Sequence, residues 1–192
     1  MSSKDRRDLT DLKAIAAMSH PLRRRLMDVL TVDGPATASM LAERTDQAVG
    51  NISHHMRTLA DCELVEEAPE LARDRRERWW RLAHASVRWS TANLPEGAAT
   101  EVIEQAAVRT NLDRQFGYVE QWNAVDGPDE RTYWRTGPFS TSHWLRLTDA
   151  ELAQVADEIT AVFDRWSDRE VADDGAERRT VFAFAHGVPA TP

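Results

Sequence analysis

Residues 37–60, TASMLAERTDQAVGNISHHMRTLA, read as two short helices joined by a tight break, and that reading decides the fold. Thr37 can cap a helix holding Met40 and Leu41, because its hydroxyl accepts one of the N–H groups that a first turn leaves open. Thr45-Asp46 then breaks the helix. A second begins at once over 48–60, where Val49, Ile52, Met56 and Leu59 step by 3, 4 and 3 and so share one buried face. The opposite face presents Gly50, Asn51, Ser53, His54 and Arg57, with Gln47 near its start. These are small or hydrogen-bonding residues, and no acidic group occurs among them before Asp61.

Working outward, two more helical patterns precede this pair. Leu9, Leu12, Ile15 and Ala16 recur at helical spacing until Ser19-His20-Pro21 interrupts them. Proline is tolerated in a first turn, where its missing N–H would be unpaired anyway, so a further helix starts near Pro21. It carries Leu22, Leu26, Val29 and Leu30 and stops before the turn signal Asp33-Gly34-Pro35. After Leu64-Val65 the pattern becomes a short strand, an Arg-rich tip over 69–76 and a second strand over 77–82, which is a β-hairpin. Strand alternation splits Trp79 and Trp80, one buried under the 48–60 helix and one exposed. Helices, a tight break and a basic-tipped hairpin together predict a winged helix-turn-helix over about residues 9–90. The competing reading is an ordinary small α+β domain.

Charge supports the first reading once it is divided along the chain. The 192 residues carry a net charge of −8, yet residues 1–90 hold 15 Lys/Arg against 14 Asp/Glu, whereas residues 91–192 hold 9 against 18. The acid lies in the second half. In the first half the positive residues cluster at Arg23 to Arg25 and again at Arg73, Arg75, Arg76, Arg78 and Arg81. Local patches of this kind, and not the whole-chain charge, set affinity for phosphate. A helix fits the major groove of B-DNA and its outward side chains can reach base edges. The expected DNA-binding residues are therefore Gln47, Gly50, Asn51, Ser53, His54 and Arg57 on the 48–60 helix, with Arg73, Arg75 and Arg76 of the wing along the backbone or in the minor groove. His55 falls on the flank of the buried stripe and reads as a packing or phosphate-adjacent residue.

The expected domains are a DNA-binding unit over 1–92 and a helical region over 93–192, giving a mainly α fold with a small β component. Leu94-Pro95-Glu96-Gly97 forms the linker, followed by a helix over about 100–123 with Ile103, Ala106, Leu112, Phe116 and Val119 inward. Residues 124–147 are loop-rich and hold Tyr133, Trp134, Phe139 and Trp144. With Trp122 these aromatics are a candidate effector pocket, against the plainer reading of a satellite core beneath a loop. Thr148-Asp149-Ala150-Glu151 has the form of a capping box. The helix it opens carries Leu152, Val155, Ile159, Val162 and Trp166 at heptad spacing, a seam suited to a partner helix or to the 100–123 helix of the same chain. That seam and the first helix are the natural dimer elements. Residues 180–186, TVFAFAH, read as a terminal strand.

Three motifs in order, HPLRRRLMDVL (20–30), LAERTDQAVGNISHHMRTLADCELVEE (41–67) and RDRRERWWRL (73–82), resemble the ArsR-type family of bacterial winged-helix regulators. The second half resembles the extended C-terminal region of some actinobacterial members. The resemblance implies a homodimer that reads two half-sites of a pseudo-palindrome in double-stranded DNA, usually to repress a nearby promoter. It does not carry over the metal switch of some relatives, whose paired cysteines precede the recognition helix: Ala36 to Arg44 contain none, and the single Cys62 lies in the turn after it. His54 and His55 are adjacent on a helix and point about 100° apart, which argues against joint chelation.

No metal site and no cofactor are expected, and no enzyme: His143, His186 and Ser140 lack a nucleophile motif, phosphate loop or ligand spacing around them. The remaining alternatives are an enzyme with an appended DNA-binding domain and a winged helix used for protein contact. No apolar run reaches membrane-span length and the first residues lack a signal-peptide pattern, so the expected location is the cytoplasm.

Overall fold

The structure is a computed structural model and describes residues 6–74, 77–84, 86–89 and 97–191. Arg75 and Arg76, two of the expected wing contacts, lie outside the described residues, as does most of the linker. The chain divides into one compact unit that runs through Arg114 and another from Gln115 onward. The expected boundary near residue 92 falls in the stretch that is not described.

In the first unit the helices start and stop where short-range chemistry dictates. After strand β1 (Arg6–Leu9), Asp11 caps α1 (Leu12–Met18) by accepting from the Lys13 N–H at 3.0 Å. His20 caps α2 (Pro21–Asp33) through Nδ1, which accepts from the Leu22 N–H at 3.2 Å, and Pro21 occupies the first turn. Gly34, at φ 80°, ends α2 in a conformation that costs a residue with a Cβ. A two-residue strand β2 (Ala36–Thr37) leads into α3 (Ala38–Thr45), capped by the Thr37 hydroxyl. Asp46, at φ 56°, then turns the chain into α4 (Val49–Ala60).

Strand β4 (Trp79–Leu82) pairs antiparallel with β2 on one side and with β3 (Val65–Glu67) on the other. The second hairpin strand starts at Trp79, two residues later than the sequence pattern indicates. Trp80 is buried, as expected of one of the pair, whereas Trp79, expected to be exposed, is half-buried. Ile15, Leu26, Leu41, Ile52, Met56, Leu59, Leu64 and Val65 fill the space between the helices and this sheet. The fold is a winged helix-turn-helix, mainly helical with a small three-stranded antiparallel sheet.

Three expectations for this unit are corrected. Leu9 is buried, but in β1 and not in the first helix; β1 pairs in parallel with β5 (Ser86–Trp89), a pairing between segments far apart in sequence that periodicity cannot reveal. Val49 is 47% exposed, and His55 takes its place in the buried face of α4. The inward face of α5 (Ala98–Asn123) differs in part: Ile103 packs against the core as expected and Leu112 is half-buried, but Ala106, Phe116 and Val119 are exposed, while Thr100, Ala107 and Gln115 are buried. The reason is polar docking. The Thr110 hydroxyl donates to the Ser19 carbonyl at 2.8 Å, and Arg114 grips both carboxylate oxygens of Asp28 at 2.6 and 2.7 Å. Such a face combines hydrogen bonds with the apolar Ile103 and Ala107, so an apolar stripe alone does not mark it.

The second unit holds a short helix α6 (Pro128–Tyr133) within the loop-rich passage, and α7 (Asp149–Ser167). The capping box is present: the Thr148 hydroxyl accepts from the Glu151 N–H while the Glu151 carboxylate accepts from the Thr148 N–H at 2.7 Å. The terminal strand over 180–186 is not formed. Its alternating aromatics meet rings on a helix instead of a neighbouring strand, Phe182 at 4.7 Å from Tyr118 and Phe184 at 6.2 Å from Phe116 between centroids. No described helix is long and apolar enough to cross a membrane.

Candidate nucleic-acid interface

Helix α4 is seated in the core by Ile52, His55, Met56 and Leu59, and this fixes which residues face out. Gln47, Gly50, Asn51, His54 and Arg57 are exposed, whereas Ser53 is half-buried and its hydroxyl donates to the Val49 carbonyl at 2.9 Å. Gln47 and Asn51 are tied one turn apart: the Asn51 amide donates to the Gln47 side-chain oxygen at 3.3 Å, and the Gln47 amide donates to the Asp46 carbonyl. The expected α4 residues thus share one surface, with Ser53 at its edge.

The start of α4 adds donors. Ala48 precedes it without a side-chain cap, in contrast to α2, α3 and α7. Uncapped N–H groups at the positive end of a helix favour an anion nearby. Gly50 lies in this first turn, and a Cβ built on it meets nothing within 4 Å. Its lack of a side chain therefore answers no crowding inside the protein, although glycine lowers helix stability by about 1 kcal/mol relative to alanine.

Behind the exposed face lies a histidine pair. The His55 ring is buried, 4.6 Å from the His20 ring, and its Nδ1 has no hydrogen-bond partner among the described residues. Burial, with His20, Arg23 and His54 nearby, pushes the His55 pKa down. Burial and Arg23 push His20 down too. Both rings are thus held neutral, and His55 is the packing residue expected from its place on the flank of the stripe.

The basic clusters shrink in the structure. Arg23 is turned to the end of α1, donating to the Ala17 and Ala16 carbonyls at 2.5 and 3.3 Å. In the wing, Arg78 pairs with Glu67 at 3.1 Å, and Arg81 with Glu66 at 2.7 Å and with Glu70. The β3–β4 register sets Glu66 across from Arg81, a cross-strand pairing that charge counting along the sequence misses. Arg25, Arg57 and Arg73 remain exposed.

Of the candidate effector residues, the structure gathers Trp122, Tyr133 and Trp134 about α6 and leaves Phe139 and Trp144 82% and 72% exposed. Arg179 lies 4.1 Å above the Tyr133 ring, bonded to Glu130 and Glu177 at 2.7 Å each, and Arg131 lies 5.7 Å from the Trp122 ring. Among the described residues no three His, Cys, Asp or Glu side chains converge as a metal site. His143 is exposed, bonded to the Thr141 hydroxyl at 2.9 Å.

Residues 18–68 match the model of a family described as a helix-turn-helix domain. No curated relative matches the chain. Among solved structures the chain is similar to a doubly substituted variant of ZitR from Lactococcus lactis in its apo form, at 16% identity over 76% of this chain and 81% of that one, with a TM-score of 0.30. A likeness that loose leaves function to be argued from the residues themselves.

Proposed function

We propose that this chain is a sequence-specific DNA-binding transcription regulator of ArsR type, acting as a homodimeric repressor on a pseudo-palindromic operator. One observation carries the reading: α4 is locked into the core on one face and presents Gln47, Gly50, Asn51, His54 and Arg57 on the other, with an uncapped N-terminus and no acidic side chain among them. In the major groove, Asn51 suits adenine and Arg57 suits guanine or a phosphate. The wing, through Arg73 with Arg75 and Arg76, follows the backbone or the minor groove. Half-sites one helical turn apart, about 34–36 Å, would match two copies of α4.

The ion pairs of Arg78 and Arg81 favour a second reading, in which the winged helix contacts a protein, because they lower the basicity of the wing. Titration of the full chain with genomic fragments at several salt concentrations separates the two. A regulator binds selected fragments about 10³-fold or more above bulk DNA, with affinity that falls steeply as salt rises. Binding that ignores sequence, or none at all, favours the protein-contact reading. A small-molecule effector at Trp122, Tyr133 and Trp134 would displace Arg131 or Arg179 from its ring, so tryptophan emission should change with any compound that releases the DNA.

A further inference from the structure

The second unit lacks what holds the first together. Among the described residues from 116 to 191 none is buried, and the exposed side chains include Phe139, Trp144, Leu145 and Leu147 before α7 and Ile159, Val162 and Trp166 along it. Of these, Ile159, Val162 and Trp166 recur at heptad spacing along one helix, the kind of apolar stripe that a partner helix can cover. The α7 seam is graded: Leu152 and Val155 are half-buried, with the Leu152 methyl close to Gly187 of the tail, whereas Ile159, Val162 and Trp166 are 37%, 42% and 59% exposed.

We propose that a second copy of the chain covers this seam, with α7 packed antiparallel against α7 of the other copy. This deepens the homodimer of the proposed function and rests on that part of it, not on DNA binding. Charge decides the direction. With Leu152, Val155, Ile159, Val162 and Trp166 at the centre, the flanking positions are Glu151, Glu158 and Arg165 on one side and Ala156 and Phe163 on the other. Parallel pairing sets Glu158 against Phe163 and leaves Arg165 without an opposite charge within α7, since the position that would face it, Glu170, lies beyond the helix end. Antiparallel pairing about residue 157 sets Glu151 of each copy against Arg165 of the other, twice by symmetry, and brings Ala156 to Ala156. Glu151 uses one carboxylate oxygen, Oε2, in the capping box and keeps the other for this contact. The cost is Glu158 beside its own copy, eased by the Gln154 amide that donates to it at 3.0 Å. Nineteen residues make a helix of about 28 Å, a short seam, and the exposed Trp144, Leu145 and Leu147 immediately before α7 are available to extend it.

The test uses the full chain without DNA. Sedimentation should show a dimer at micromolar concentration, Val162→Asp should give a monomer, and Arg165→Glu, an exposed change, should weaken dimerisation by about tenfold. A short bis-maleimide should join copies of Ala156→Cys and leave copies of Leu152→Cys apart, with the wild type, whose Cys62 is buried, as the blank. A monomeric wild type, a dimer that resists both Val162→Asp and Arg165→Glu, or linkage of Leu152→Cys in place of Ala156→Cys would overturn the proposal. Any of these leaves DNA binding by the wild type to be judged separately, so the two readings fail independently.

Discussion

The two units of this chain bury their apolar residues in opposite ways. The first closes on itself, with Leu26, Leu41, Ile52, Met56 and Leu59 wholly inside, while the second keeps Trp144, Val162 and Trp166 on its surface. The difference teaches that apolar content does not make a core. What matters is whether the elements carrying it can face one another within a single copy. In the first unit, close turns at His20-Pro21, Gly34 and Asp46 fold four helices onto a sheet. In the second, α6 and α7 are separated by a long irregular passage and share no buried residue.

The largest expected effect sharpens that contrast. Leu59→Ala removes a fully buried side chain and should cost about 2–5 kcal/mol in denaturant unfolding, independent of protein concentration. Val162→Ala should lower the unfolding midpoint only at concentrations where the dimer forms. Equal, concentration-independent losses for both would erase the distinction between the units.

Next in size is the attachment of α5 to α2. Replacing Arg114 by Met deprives Asp28 of two short, largely shielded hydrogen bonds and should destabilise the first unit by about 2 kcal/mol. A change within about 0.3 kcal/mol would mean that α5 does not depend on this pair.

Acid should also act on the first unit. The folded pKa values of His20 and His55 are lowered by burial, so the unfolded chain takes up protons first as the pH falls. Their contribution is present above about pH 6.5 and is lost as the pH drops below it toward the folded values. The melting temperature of the first unit should fall between pH 7.5 and 5.5, and His55→Gln should reduce the fall. A flat profile would show that the pair does not titrate on unfolding.

The smallest effect concerns Gly50. Gly50→Ala should stabilise the free protein by about 0.5–1 kcal/mol, since the added methyl meets nothing in the protein, yet weaken specific DNA binding if the backbone there approaches the duplex closely. Gly117→Ala, also in open space on a helix, should stabilise without touching DNA affinity. Unchanged DNA affinity in both would show that Gly50 is merely a weak helix residue.

Much of the first unit was legible because its signals are local. The stop at Ser19-His20-Pro21, the Thr37 cap and the 3-4-3 spacing of α4 each act over a few residues, and so does the Thr148–Glu151 box. What was not legible depends on long-range pairing. The β1–β5 ladder, the Glu66–Arg81 bridge and the Arg114–Asp28 clamp join residues far apart in sequence, and the last two set which acid Arg81 meets and how α5 is held to α2. Residues 180–186 have strand-forming side chains, but their own unit holds no strand among the described residues, so local preference misled there. In the candidate site, His55 was legible as a packing residue from its position on the stripe, whereas its contact with His20 needed the fold.

The proposed regulator depends on α4 reading bases, and one comparison tests that most directly: the affinity of wild type and Arg57→Ala for a selected operator and for unrelated DNA at the same salt. If α4 reads the major groove, Arg57→Ala should lose about 1–3 kcal/mol on the operator and much less on unrelated DNA. An equal loss on both would reduce Arg57 to a phosphate contact and contradict the assignment of this face to sequence recognition.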